Sequence, residues 1–534
     1  MRPVHDMVNQ ISDPKFGIIF NNGEDWKIQR KTFVRLMKKT GFQTSHLKFG
    51  IDHVWSKMKD ALTKDSSTTV GVNEPMKSCN NSALEAVELC LMELLTLTFA
   101  DQKLFPGGNV PHKYLRYFND FRACGVQWID ANASWYRYPF LKYLAPHMSG
   151  FVWFKDITVT TEKYMNEIVS LHKRARQSRG REVRQSDTKT QMQLSRVKCG
   201  LSYIDSYLDE IDQIEGEEAK CRLHQALIAS LKDIFLGADG IVMGLYSLLY
   251  CLSRNPQIQN EMRREMKQET ENLPYCRAVI LETQRYIPQG GIGPQHYSQE
   301  DVLVDGFRIP AGTDVYPNVM GIFQSKEHWD QPEVFNPMRF LGQDGQLLHP
   351  KTWLPFSIGE RTCPGKSFSL EVLLMLGMKI VTELDLSFVD FVDKEVNELK
   401  YYGMSLVHLN PFKIVVKELE SHTTAARADL VTDTSLVGQH ADVLSHTTVA
   451  KADHGTCTSL GGQHVDVLSS TSASWPTKQT ATLATRKKQE TELLQNAAKF
   501  SYLEGKVEKQ LDCIIIGAGI SGLDAAYHIK VGFM

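Results

Sequence analysis

The segment PFSIGERTCPGKSFSLEVLL, residues 355–374, decides how this chain is read. Phe356, Gly359, Arg361, Cys363 and Gly365 follow the pattern FxxGxRxCxG, and an amphipathic helical segment begins directly after it. A thiolate that ligates iron needs such surroundings. An aromatic neighbour shields the sulfur, and the two glycines let the backbone turn tightly and approach it. N–H groups at a helix start stabilise its negative charge. A lone cysteine would be read as a buried structural residue; five matched positions ahead of a helix favour an iron ligand.

Working outward, LETQR sets Glu282 and Arg285 three residues apart on one helix face, where a carboxylate and a guanidinium can clamp each other. Arg339, in FNPMRF, offers a second guanidinium. An isolated ExxR is more often a surface ion pair, but its order and spacing relative to Cys363 favour a buried structural clamp. Near the start, EDWKIQR places Trp26 and Arg30 one helical turn apart in a helix over 25–38. His296, in PQHYSQED, and Arg361 add donors of the kind that paired carboxylates require.

The stretch 223–256 is too apolar for a surface helix and reads as a long, buried central one, ended by Pro256. Its run from Ile241 to Leu252 falls short of the roughly 18–20 apolar residues that span a bilayer. A shorter helix over 278–286 lies between Pro274 and Pro288, and the alternation in 300–317 predicts a small sheet.

Taken in order, these motifs resemble those of the cytochromes P-450, above all the microsomal branch that oxidises drugs, steroids and fatty acids. The resemblance runs from about Lys15 to Val416. It implies a mainly α fold with a minor β-sheet region and a bound haem b (iron protoporphyrin). Cys363 would be the metal ligand, with Phe356 and Gly365 beside it, and Trp26, Arg30, His296 and Arg361 near the haem propionates. Glu282, Arg285 and Arg339 would form the structural clamp. The implied reaction inserts one atom of dioxygen into a small hydrophobic substrate, as hydroxylation or epoxidation. Electrons would come from NADPH through a separate flavoprotein reductase. The family's setting is the cytosolic face of the endoplasmic reticulum membrane; the chain as written, without an anchor, would be soluble and cytoplasmic.

Several positions depart from the family pattern. In LGADGI, Gly237 and Asp239 are in register with the oxygen-activation motif, but Gly240 stands where the family carries a threonine. Asp239 would lie in the proton path, and Gly240 has no hydroxyl to steer protons. The alternative reading is therefore a haem-binding but catalytically idle protein. The chain also starts just before the Trp26 helix, which predicts a fold incomplete at its N-terminus, and 176–200 reads as an insertion.

Composition bounds the rest. A net charge of −2 supplies no bulk field for nucleic acid. The basic run Lys173, Arg174, Arg176, Arg179, Arg181 and Arg184 reads as a solvated loop or helix end. Ten cysteines occur without a CxxC pair, which favours a reducing compartment. Residues 1–417 form the domain just described. Residues 418–490 shift to Ser, Thr, Ala, His and Asp and repeat with a period of 24, at 421–444 and 445–468. With so few apolar residues this zone reads as disordered tail. Residues 491–534 read as a helix followed by the strand CIII and GxGxxG at Gly517, Gly519 and Gly522, similar to the opening of a flavin-dependent amine oxidase. A flavin oxidase is thus a third, weaker reading, because the chain stops before the acidic residue such a fold needs.

Overall fold

The computed structural model describes residues 17–129, 138–185, 202–391 and 399–419, with short interruptions, together with 513–516. Most of the elements are helices: α1 (Gly23–Lys39), α2 (Thr44–Thr63), α3 (Ser82–Phe99), α4 (His112–Ile129), α5 (Phe151–Gln185) and α6 (Tyr203–Asp212) come first. In α1, Glu24 and Asp25 open the helix and Lys38 and Lys39 close it, each complementing the backbone dipole. Trp26, Phe33, Leu36 and Met37 form its buried face. The basic run occupies the last turns of α5, where Arg176 reaches Asp209 (2.7 Å) and Asp212 (2.8 Å) on α6.

The central helix differs from its sequence reading. It begins at Glu217 and is broken at Ala238 into α7 (Glu217–Gly237) and α8 (Asp239–Arg254). At the break the Ala238 N–H turns back to Phe235 O (3.3 Å), a tighter i−3 bond. Pro256 does not sit in this helix; it opens α9 (Pro256–Lys267). Pro274 likewise is the first residue of α10 (Pro274–Tyr286) rather than a boundary outside it. A missing N–H costs nothing at a helix's first position. By length and composition Glu217–Arg254 could cross a membrane, contrary to the sequence expectation. However, 89% of its most apolar window is buried in the protein, so it is a core helix.

Aromatic contacts show how the layers close on it. Phe118 of α4 stacks on Phe235 of α7 (4.3 Å), and Tyr203 of α6 meets Phe33 of α1 and Phe99 of α3 edge-on. Phe99 also meets Phe368 of α12 (Lys366–Glu383), 6.2 Å away. Burial of each such side chain contributes on the order of 2–3 kcal/mol, so the core rests on contacts between elements far apart in sequence.

The strands are β1 (Thr68–Val70), β2 (His296–Tyr297), β3 (Val302–Val304), β4 (Phe307–Ile309), β5 (Asp314–Pro317), β6 (Leu384–Phe391), β7 (Leu399–Tyr402), β8 (Leu406–Leu409), β9 (Phe412–Glu418) and β10 (Cys513–Ile516). Helix α11 (Val319–Gln324) follows β5. The region read as one small sheet contributes to two: β3 and β4 make a hairpin, while β5 pairs elsewhere. One three-stranded sheet has the order β1-β9-β6 and another β10-β5-β2. In the latter, β10 lies parallel to β5 with Cys513 opposite Asp314 and Ile516 opposite Pro317. The tail read as disordered, the helical reading of 491–512 and the glycines Gly517, Gly519 and Gly522 lie outside the described residues.

Candidate active site around Cys363

Cys363 lies in the loop between a single 3-10 turn, Gly359–Arg361, and the start of α12. Gly359 adopts φ +72°, a conformation that favours glycine, so the turn depends on it. The second glycine acts differently from the sequence reading. Gly365 has φ −85° and precedes α12, with the position of an added Cβ 3.8 Å from Cys363 Sγ. It needs no left-handed backbone; it keeps the approach to the sulfur open. The Cys363 N–H donates to Phe356 O (2.9 Å), and the Phe356 ring sits 5.9 Å from that of Trp353.

The thiol is accessible, yet its surroundings bury it enough to raise its pKa. Protein atoms packed around the sulfur raise its pKa although the residue as a whole is exposed. The N–H groups of Gly365 and Lys366 point at it, and the charges of Arg30 and Lys366 oppose the effect of burial. These are the groups that favour a thiolate once a cation faces it.

Arg30 and Arg361 gather on the same side. Arg30 Nη2 donates to Thr362 O (2.5 Å), and Arg361 Nη2 donates to Asn21 O (2.9 Å) and Asn22 Oδ1 (3.0 Å). The Arg361 guanidinium lies 3.7 Å above the Trp26 ring, a cation–π contact. The Trp26 N–H donates to Ile18 O (3.1 Å), so Trp26 joins the site through its ring face. Burial and then the neighbouring Arg30 pull the Arg361 pKa down to about 10, while Glu360 opposes them. Burial also lowers Arg30. Arg361 Nη1 is buried without a hydrogen-bond partner. Two crowded guanidiniums with an unsatisfied donor fit an anionic ligand, and a cysteine with aligned N–H groups fits a metal. The residues present therefore fit an iron porphyrin with its two carboxylates. His296 stands half-buried in β2, opposite Val315 of β5.

The structure brings Glu282, Arg285 and Arg339 together. Glu282 Oε2 accepts from Arg285 Nε (2.7 Å), and Oε1 accepts from Arg285 Nη2 (2.8 Å), Arg339 Nε (3.1 Å) and the Asn336 N–H (2.8 Å). Arg285 also donates to Phe323 O (3.0 Å), and Arg339 to Asp330 O (2.8 Å). The cluster ties α10 to the segment ahead of the cysteine loop.

Asp239 stands at the start of α8, but it does not face open space. Its Oδ1 accepts from Arg122 Nη1 (2.5 Å), a fully buried guanidinium on α4 that also meets Glu88 Oε2 (3.0 Å). Tyr246 OH and Asn119 Nδ2 complete the shell around Glu88. Burial opposes the charge on Arg122, but the two carboxylates and Tyr246 hold its pKa above the ordinary value. Sequence reasoning missed this cluster; the one available signal was a cation on the apolar face of YLRYFNDFRACG. It also missed Gln289, whose amide lies against Gly240 and Gly244.

The Cytochrome P450 family model matches residues 2–416. The chain is 21% identical over 384 residues to farnesoate epoxidase of Bombyx mori, covering 70% of each. It is 24% identical over 393 residues to cytochrome P450 2J1 of Oryctolagus cuniculus, again 70% of each. To the probable cytochrome P450 508A1 of Dictyostelium discoideum it is 30% identical over 205 residues, 36% of this chain and 41% of that protein. The chain thus spans from about two fifths to 70% of the length of these relatives. The match over residues 2–416 and the cysteine loop at 356–365 agree: this chain belongs to the cytochrome P450 family.

Proposed function

We propose that this chain is a haem-thiolate monooxygenase that inserts one atom of dioxygen into a small hydrophobic substrate. The observation that carries this reading is the cysteine loop, with backbone N–H groups aimed at Cys363 Sγ and Arg30 and Arg361 crowded beside it. Haem bound there would supply the redox centre at which dioxygen is reduced. The N–H groups of Gly365 and Lys366 would hold the thiolate, Arg30 and Arg361 would neutralise the propionates, and His296 would be a further propionate partner. The clamp of Glu282, Arg285 and Arg339 would keep the loop in place without touching the reacting atoms. Electrons would come from NADPH through a flavoprotein reductase, at the cytosolic face of the endoplasmic reticulum membrane. The name of the silkworm relative, farnesoate epoxidase, supports an extended apolar acid, with epoxidation as the reaction.

A second reading is favoured by two observations. Gly240 carries no hydroxyl, and Asp239 is engaged by buried Arg122. Both point to a haem protein that binds but does not turn over. Incubation with NADPH, a purified flavoprotein reductase and farnesoic acid separates the two. Oxygenated product well above the haem-free control supports the oxygenase; haem-loaded protein that gives none supports the idle form.

A further inference from the structure

Gly240 and Gly244 are an i, i+4 pair of α8, whose backbone C=O and N–H an uninterrupted helix joins to each other. Gln289, in the loop after α10, lays its carboxamide across this pair. Its neighbours assign the amide orientation: with Nε2 toward Gly240 it donates to Gly240 O (2.7 Å) and Oε1 accepts from Gly244 N (2.7 Å), whereas the reverse orientation sets acceptor against acceptor and donor against donor. Room for this contact depends on glycine. A Cβ at Gly244 would stand 2.8 Å from Leu373 Cδ1, 3.0 Å from the Gln289 amide and 3.2 Å from Gln284 Nε2. At Gly240 an added Cβ would meet the Gln289 amide at 3.6 Å, an ordinary contact.

The loop that carries Gln289 is fixed at both ends. Arg285 of the buried clamp lies four residues before it, and Ile287 is buried behind the helix end. After it, Gly291 O accepts from the Met320 N–H (2.8 Å) and the Gly293 N–H donates to Pro317 O (2.8 Å). Gln289 itself is half-buried.

We propose that Gln289 is a positioning residue for the oxygen-activation turn, standing in for the hydroxyl that Gly240 lacks. Its carboxamide bridges the Gly240 C=O and the Gly244 N–H, and the second hydrogen on Nε2 holds a water molecule over that turn. The inference rests on the oxygenase reading of the same site.

The test uses the full chain carrying Gln289→Met, which keeps the length and removes the amide, and Gln289→Asn, which keeps the amide on a shorter arm. The first readout is hydrogen exchange at the Gly244 amide, which needs no turnover. Loss of one bridging bond predicts exchange faster by roughly three- to tenfold in Gln289→Met. The second is peroxide released per NADPH with a purified flavoprotein reductase, which should rise severalfold in Gln289→Met, less in Gln289→Asn, and fall back when Gly240→Thr is added to Gln289→Met. Unchanged Gly244 exchange overturns the bridge. Faster exchange with unchanged peroxide yield, or no rescue by Gly240→Thr, overturns the positioning role. If wild-type protein shows no thiolate-type carbonyl spectrum, the oxygenase reading fails separately, and the exchange arm still judges the contact.

Discussion

Replacing Glu282 by alanine should destabilise the protein through the guanidiniums it leaves behind. Its carboxylate accepts two bonds from Arg285, one from Arg339 and one from the Asn336 N–H, at 2.7 to 3.1 Å. Arg285 is 2% exposed and has no route to water. Breaking a buried pair by removing one partner costs about 3–5 kcal/mol. For a core of roughly 400 residues the unfolding entropy near the midpoint is on the order of 0.8 kcal/mol per degree, so Tm should fall by about 4–6 °C. Glu282→Gln keeps one acceptor oxygen and should fall by about half as much. Glu282→Leu combined with Arg285→Leu should cost less than the sum of the two single changes, because no orphaned charge is left. Thermal unfolding followed by circular dichroism at 222 nm reads wild type, the Ala and Gln variants, the two single leucine variants and their double. A Glu282→Ala variant that melts within about 1 °C of wild type would refute the reasoning, as would strict additivity in the leucine pair.

Two further predictions concern other regions. Burial raises the Asp233 carboxyl to about 7, against the opposing N–H groups of Ile18 and Ile19 and the charge of Lys232. The native state then keeps a proton that the unfolded chain releases above about 4, so stability should fall as pH climbs from about 4 to 7 and level off above, by on the order of 4 kcal/mol. Asp233→Asn should gain most over wild type at pH 8, clearly less at pH 5 and least near pH 4; a gain equal at pH 8 and pH 4 would contradict the assignment. A chain ending after Leu419 loses β10 and opens one edge of β5. At least one amide among Asp314, Val315 and Tyr316 should then exchange faster, and unchanged exchange would show that the strand pairing does not hold in solution.

What was legible in the sequence follows from how local the signal is. The cysteine loop is contiguous, so its five positions specify a turn, a cysteine and a helix start together. The Glu282–Arg285 pair is fixed by helical spacing, and Arg339 joined it only through order along the chain. The long apolar helix was legible as buried, but its break at Ala238 was not, because the sequence around it has no proline. Pro256 was read as the end of the central helix and Pro274 as a boundary ahead of the next, although proline serves equally well as a first helical residue. Arg122 and Asp239 are 117 residues apart and meet only through the packing of α4 on the central helix. Gln289 gave no signal because a glutamine in a glycine-containing loop is ordinary until Gly240 and Gly244 are placed beside it. The same limit applies to β10, whose pattern CIII suits any edge strand and names no partner.

The most direct test of the central claim is the absorption spectrum of the purified, dithionite-reduced chain with carbon monoxide bound, compared with Cys363→Ser. Ligation by the Cys363 thiolate predicts a strongly red-shifted Soret band in wild type that disappears in the variant. A Soret band at the ordinary histidine- or thiol-ligated position, or no bound haem at all, would contradict the assignment of Cys363 as the iron ligand.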